Sequence, residues 1–204
     1  MRLAAALLAF LIILTPAWAA PKFPALTGRV VDDAGILSAQ TKADLDTKLA
    51  ALEQKNSRQL VVVTVPSLGG YEISDYGYQL GRSWGIGQKS LNNGILFIVA
   101  PNEHKTRIEV GYGLEPIVTD ALSSVIIQTQ VLPQFRKGDF NAGVTAGVDA
   151  LIQQLSLETS EAEKRAAAAD GPAAAAVAAA GRVAVAAALA AAALREAGRM
   201  GGRC

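Results

Sequence analysis

Two short runs in the middle of this chain, Leu60 to Val65 and Ile95 to Val99, are apolar at both alternating sets of positions. Successive side chains of a strand point to opposite faces, so a strand apolar on both sets has to be covered on both sides. Pro66 and Pro101 close the runs at strand length, well short of a buried helix. Two such interior strands rule out a sheet with one wet face. They require helices packed above and below.

The flanking segments supply those helices. Ser38 has the form of an N-cap, and Leu45, Leu49 and Leu52 follow on one helical face with Lys42/Asp46 and Asp44/Lys48 at i,i+4 on the other, which predicts a helix to about Lys55. Beyond Gly69-Gly70, the residues Ile73, Gly77, Leu80 and Trp84 repeat at helical spacing with Ser74 as the candidate cap, and this helix should end before Gly85. Asn92-Asn93-Gly94 punctuates the chain ahead of the second interior strand. Asn102 to Lys105 is a short link into Thr106 to Val110, whose polar/apolar alternation predicts an antiparallel neighbour nearer an edge. Thr119 is the candidate cap of a third helix carrying Leu122, Val125, Ile126 and Thr129, which Pro133 should stop. Asp139 caps the last helix, with Val144, Val148, Leu151, Ile152 and Leu155 on its apolar face and Gly143 and Gly147 permitting close approach to the sheet. Val30-Val31 is a candidate edge strand. This order predicts the α/β class: a three-layer α/β/α sandwich around a small mixed sheet. No internal repeat at periods of roughly 20 to 50 residues is present, which excludes a solenoid or propeller.

The ends of the chain read differently. Met1-Arg2 precedes an apolar run from Leu3 to Leu14, and Ala17-Trp18-Ala19 has the small-x-small form of a cleavage site. That run suits a signal peptide and falls short of the roughly 20 residues of a spanning anchor. The expected boundaries are a signal peptide at 1–19, a linker at 20–27, the folded domain at 28–157 and an Ala-rich low-complexity tail at 158–204. The mature protein is therefore expected to be exported across the cytoplasmic membrane and to work in the periplasm or outside the cell. The tail leaves three readings open: a weak membrane anchor giving membrane association, with Gly181-Arg182 unfavourably near its middle; a disordered extension; or the product of a shifted reading frame. Cys204 is the only cysteine, so no disulfide, zinc finger or cysteine nucleophile is available to the folded region. A net charge of +1 carries no basic excess for a nucleic-acid partner.

Seven segments recur in a particular order: Val30-Val31-Asp32-Asp33-Ala34-Gly35-Ile36-Leu37-Ser38, Leu68-Gly69-Gly70, Trp84-Gly85-Ile86-Gly87, Asn92-Asn93-Gly94, Gly111-Tyr112-Gly113-Leu114-Glu115, Thr119-Asp120 and Gly138-Asp139-Phe140. In that succession, from about Phe23 to Leu157, the chain resembles the TPM domain family. The resemblance implies a Rossmann-like α/β sandwich on a secreted or membrane-tethered protein, often followed by a membrane segment and a glycine-rich tail. Here the tail is alanine-rich instead. Plant thylakoid members of the family are implicated in photosystem II repair and have been assigned acid phosphatase activity. Divalent cation binding, calcium in particular, is associated with others.

The residues themselves favour a cation over catalysis. Leu68-Gly69-Gly70-Tyr71 has neither the lysine nor the length of a phosphate-binding P-loop. His104, the only histidine, sits in a short link and reads as a solvated turn residue. An aspartyl nucleophile aided by a metal would have to be drawn from Asp32-Asp33, yet adjacent side chains of an extended segment point apart. Asp32, Asp33, Glu115 and Asp120 lie in or beside glycine-bearing loops, where carbonyls and water can complete the about six to eight oxygen positions of calcium, which suits them better than zinc. The competing reading is that Asp32 and Asp120 hydrogen-bond backbone N–H groups, Asp120 in the first turn of its helix. With a hairpin joining the last two strands, Asp32 and Glu115 are expected at opposite ends of the sheet, in different sites. Trp84 reads as a core plug, and Tyr112, between Gly111 and Gly113, either packs down or faces a ligand. The function expected is a divalent-cation-binding accessory module acting with envelope or membrane protein partners. The alternative is a metal-assisted acid phosphatase.

Overall fold

The computed structural model describes residues 21–171; the expected signal peptide and the tail from 172 to Cys204 lie outside the described residues. The strands are β1 (Val30–Asp32), β2 (Gln59–Thr64), β3 (Gly94–Ala100) and β4 (Lys105–Val110). They form one sheet in the order β1-β2-β3-β4, with the first three parallel and β4 antiparallel to β3. Val30, Val62, Phe97 and Ile108 share one row across the sheet. β3 is buried along its whole length, as a strand apolar on both faces must be, whereas β4 buries Ile108 alone.

The helices are α1 (Ala39–Asn56), α2 (Ile73–Trp84), α3 (Asp120–Ile126), α4 (Leu132–Phe135), α5 (Phe140–Leu155) and α6 (Thr159–Ala169). Leu60, Val62, Ile95 and Phe97 face a core shared with Leu45 and Leu49 of α1, Leu122 of α3, Val148 of α5 and Ala162 of α6. Val61, Val63, Leu96 and Ile98 face the other way, against Tyr76 and Leu80 of α2. This is the expected three-layer α/β sandwich. Each connection, β1-α1-β2 and β2-α2-β3, advances one strand in the same direction, yet the two helices lie on opposite faces. Only one of them can therefore be right-handed, in a class of connection that is right-handed in about 98% of cases.

Ser38, Thr119 and Asp139 each accept a backbone N–H three residues on, as caps do. Two expectations need correction. Ser74 does not cap α2: the helix starts at Ile73 behind Glu72, two residues earlier than a Ser74 cap requires, and the Glu72 carboxylate is paired with Lys105 of β4 and makes no cap bond. Pro133 does not end the third helix either. A π-helical turn (Ile127–Val131) intervenes, and Pro133 falls in the first turn of α4, where a missing N–H costs least.

The packed body extends beyond 28–157 at both ends. Before β1, Phe23 meets Tyr76 edge-on at 5.2 Å and Pro24 accepts the Trp84 indole N–H at 3.0 Å, so 21–24 help α2 cover its face. After α5, α6 buries Ala162 and Ala166 completely, and Gln154 donates to the carbonyls of Ile117 and Ala162. Among the described residues no helix is long and apolar enough to cross a membrane.

Gly147 is where α5 meets the sheet: a Cβ there would lie 2.8 Å from Phe97 and from Val131, both fully buried. Gly143 instead meets Phe135 of α4. Gly147→Val should lower stability by about 1–3 kcal/mol through overpacking, read as a reduced urea midpoint. Gly28→Ala, with nothing within 4 Å of the added carbon, should leave the midpoint unchanged.

Candidate functional site

The chain leaves β1 toward the face carrying α1 and leaves β2 toward the face carrying α2. Loops that part company at neighbouring carboxyl ends open a crevice, and such switch points are where open α/β sheets take their ligands. Asp32 ends β1 and Thr64, its register partner, ends β2, so both lie at this crevice.

Asp32 is spent on the fold. Its Oδ1 accepts the Thr64 hydroxyl at 2.6 Å and the Ile36 N–H at 3.1 Å, while Oδ2 accepts the Leu37 N–H at 3.1 Å. Lys42 of α1 stands 3.6 Å from Oδ2, and the carboxylate is only 2% exposed. The Thr64 hydroxyl in turn accepts the Ala34 N–H. Together these bonds shape the turn from Asp33 to Ser38 that feeds α1, and Ser38 donates its own N–H to Asn141 at the start of α5. Of the two readings of Asp32, the backbone-binding one describes this geometry. Asp33, next in sequence, is exposed, as alternation requires. Burial, and after it the charge of Asp33, pushes the Tyr76 hydroxyl above its ordinary value.

The far wall of the crevice was not anticipated. Glu103, in the β3–β4 turn, accepts the Leu68 N–H at 2.8 Å and the Ser67 hydroxyl at 3.0 Å through Oε1, while Oε2 is buried without a hydrogen-bond partner. Asn102 donates to the Pro66 carbonyl. The hairpin turn is thus latched onto the loop that carries Gly69 and Gly70, both at positive φ. The Leu68 N–H chiefly holds the Glu103 carboxyl below its ordinary range.

Glu115 and Asp120 lie at the other end of the sheet, as the hairpin led us to expect. Gly111 donates to Gly94 and Gly113 to Asn92, which ties the loop after β4 to the start of β3. Glu115 and Asp120 are both exposed, with Asp120 opening α3 behind its Thr119 cap. Tyr112 does not pack down; it is 76% exposed beside Leu91, whose carbonyl oxygen leaves no room for a side chain at position 113. Trp84 is a half-buried plug on the α2 face. His104 is an exposed turn residue, and Arg107 and Glu109, two apart on β4, pair with each other at 2.5 Å.

The four carboxylates singled out in the sequence are therefore divided between two ends, and one of them has its oxygens occupied. Among the described residues no group of three or more His, Cys, Asp or Glu is placed to hold a metal ion. A single calcium site built on all four does not fit this arrangement.

Asp32→Ala strips charged acceptors from two N–H groups and a buried hydroxyl, and should cost about 2–4 kcal/mol. Asp33→Asn should change stability by less than about 0.5 kcal/mol; equal losses in paired denaturation curves would contradict the division of labour. Because the folded state lowers the Glu103 pKa, its contribution is complete above the ordinary value of about 4.3 and lost as the pH falls through the folded value. Glu103→Gln should accordingly lower stability at pH 7 and flatten the acid limb of a stability-against-pH curve.

The TPM domain profile matches residues 30–154. The N-terminal domain of a P. gingivalis protein, solved by NMR, is 36% identical, covering 63% of this chain and 82% of its own, with a TM-score of 0.60. The N-terminal domain of the cg2496 protein of Corynebacterium glutamicum is 16% identical over 71% of this chain and 91% of its own, with a TM-score of 0.51. The BA42 protein of Bizionia argentinensis is 19% identical over 59% of this chain and 81% of its own, also with a TM-score of 0.51. These last two share the fold. No protein of curated function matches the chain. The order of its signature segments, its sandwich and the span of the match together make this chain a member of the TPM domain family.

Proposed function

We propose that this TPM domain is an exported, non-catalytic accessory module that binds protein partners of the cell envelope and takes calcium weakly at the crevice end of its sheet. One observation supports the non-catalytic reading above others: of the two aspartates a metal-assisted phosphatase would draw on, Asp32 is 2% exposed and has both oxygens bound by the chain's own donors, which leaves Asp33 without its pair. A nucleophile has to reach substrate, and the Asp32 carboxylate would first have to give up the turn it holds. Asp33 is the exposed acid at the crevice, beside a loop whose backbone carbonyls and water would complete an extracellular-type, low-affinity site.

A calcium titration of the mature chain, followed by its melting temperature, tests this reading. Ligand that binds only the folded state stabilises it by RT ln(1 + [L]/Kd), about 2.7 kcal/mol at a hundredfold excess over Kd. At a Kd of ~10⁻⁴ to 10⁻³ M the shift should emerge in the millimolar range, with magnesium doing less. Asp33→Asn should abolish the shift, and Glu115→Gln with Asp120→Asn should keep it. A shift lost only in the latter pair would move the ion to the opposite end. No shift up to ~10 mM would remove the cation from the proposal. Hydrolysis of a chromogenic phosphate ester at acidic pH that disappears in Asp33→Asn would replace the accessory reading with the phosphatase.

A further inference from the structure

On the face of the sandwich away from α2, the helices α3, α5 and α6 enclose an open groove of about 860 Å³. Leu122, Val125 and Ile126 of α3 form one wall, Ala146 and Ala150 of α5 the floor, and Ala169 at the end of α6 the rim. The groove's surface is mostly apolar, with Gln130, Asp149, Gln153 and Arg165 also lining it.

We propose that residues 173–194 of this same chain cover the groove. The described chain stops at the rim: α6 ends at Ala169, the Asp170 and Gly171 N–H groups close onto Ala167 and Ala168, and Pro172 follows. A glycine and then a proline after a last helical turn end a helix and redirect the chain. The described chain thus ends within two residues of Ala169 at the groove, closer than the few residues that usually join antiparallel helical neighbours.

Composition fits the space. Residues 173–194 hold fifteen alanines, with Val177, Val183, Val185, Leu189 and Leu194 among them and Gly181-Arg182 near the middle, where the arginine has to reach solvent. A floor of Ala146 and Ala150 admits a backbone closely, and small side chains on the incoming segment are what close approach requires. The same alanine-rich stretch already packs on this body one step earlier, where α6 buries Ala162 and Ala166 to zero exposure. The groove continues that interface.

The test is trypsin cleavage after Arg182 in the full mature chain, timed by mass spectrometry. Thr129 is exposed on the groove's lip and Leu189 belongs to the covering segment, so neither Thr129→Arg nor Leu189→Asp should disturb the folded body. Circular dichroism melting provides the check. Cleavage after Arg182 should be at least tenfold slower in the unaltered chain than in either variant. Equal rates in all three chains would overturn the proposal. So would protection that appears only with phosphatidylglycerol/phosphatidylcholine vesicles, which would assign the segment to lipid, or protection that rises with protein concentration, which would assign it to a second copy.

Discussion

The bond between the Asp32 carboxylate and the Thr64 hydroxyl, 2.6 Å long, joins the ends of β1 and β2 at the point where the chain has to choose a face. Its neighbours depend on it. The same carboxylate holds Ile36 and Leu37, which aims the chain into α1. The start of α1 is bonded to Asn141 of α5, so one buried charge organises two layers of the sandwich. Such a charge is costly to desolvate and is tolerated only when its lone pairs are filled, as they are here. β1 has just three residues, and this latch adds a side-chain tie to its backbone bonds with β2.

Much of the fold was legible because it rests on local rules. Doubly apolar runs gave the interior strands, polar/apolar alternation gave the edge strand β4, and hydroxyl or carboxylate side chains gave the caps at Ser38, Thr119 and Asp139. The failures share a cause. The N-cap of α2 is Glu72 rather than Ser74, and its carboxylate meets Lys105, 33 positions away, instead of the helix's own N–H groups. Proline breaks the interior of an α-helix, but here a π turn ahead of Pro133 places it in the first turn of the next helix. Neither competitor is visible in a short window of sequence.

The candidate site shows the same division. That Asp32 and Glu115 lie at opposite ends followed from counting strand directions. That Asp32 is enclosed did not, since its most consequential partner is 32 residues away. Thr64 was the available signal: a lone hydroxyl in an otherwise apolar strand has to find a partner when buried, and it is fully buried. Glu103 offered less, since a turn glutamate is normally solvated. Its role emerges only when the β3–β4 turn is placed against Ser67 and Leu68.

The departure of α1 and α2 to opposite faces also bears on how the chain avoids a wrong topology. Strand twist favours right-handed crossovers, and two of them would have stacked both helices on one side. That decoy has the same strand order and the same ladder bonds, so the backbone alone scarcely distinguishes it from the native arrangement. If α2 is the helix that changes face, Val61, Val63, Leu96 and Ile98 are left facing water, each forfeiting about 1.5–3 kcal/mol of burial. The energy gap between the two chain paths therefore resides in side chains of the interior strands. Polar replacements on that face would erode the choice of topology as well as stability, and the misrouted product would keep a native-like far-UV spectrum.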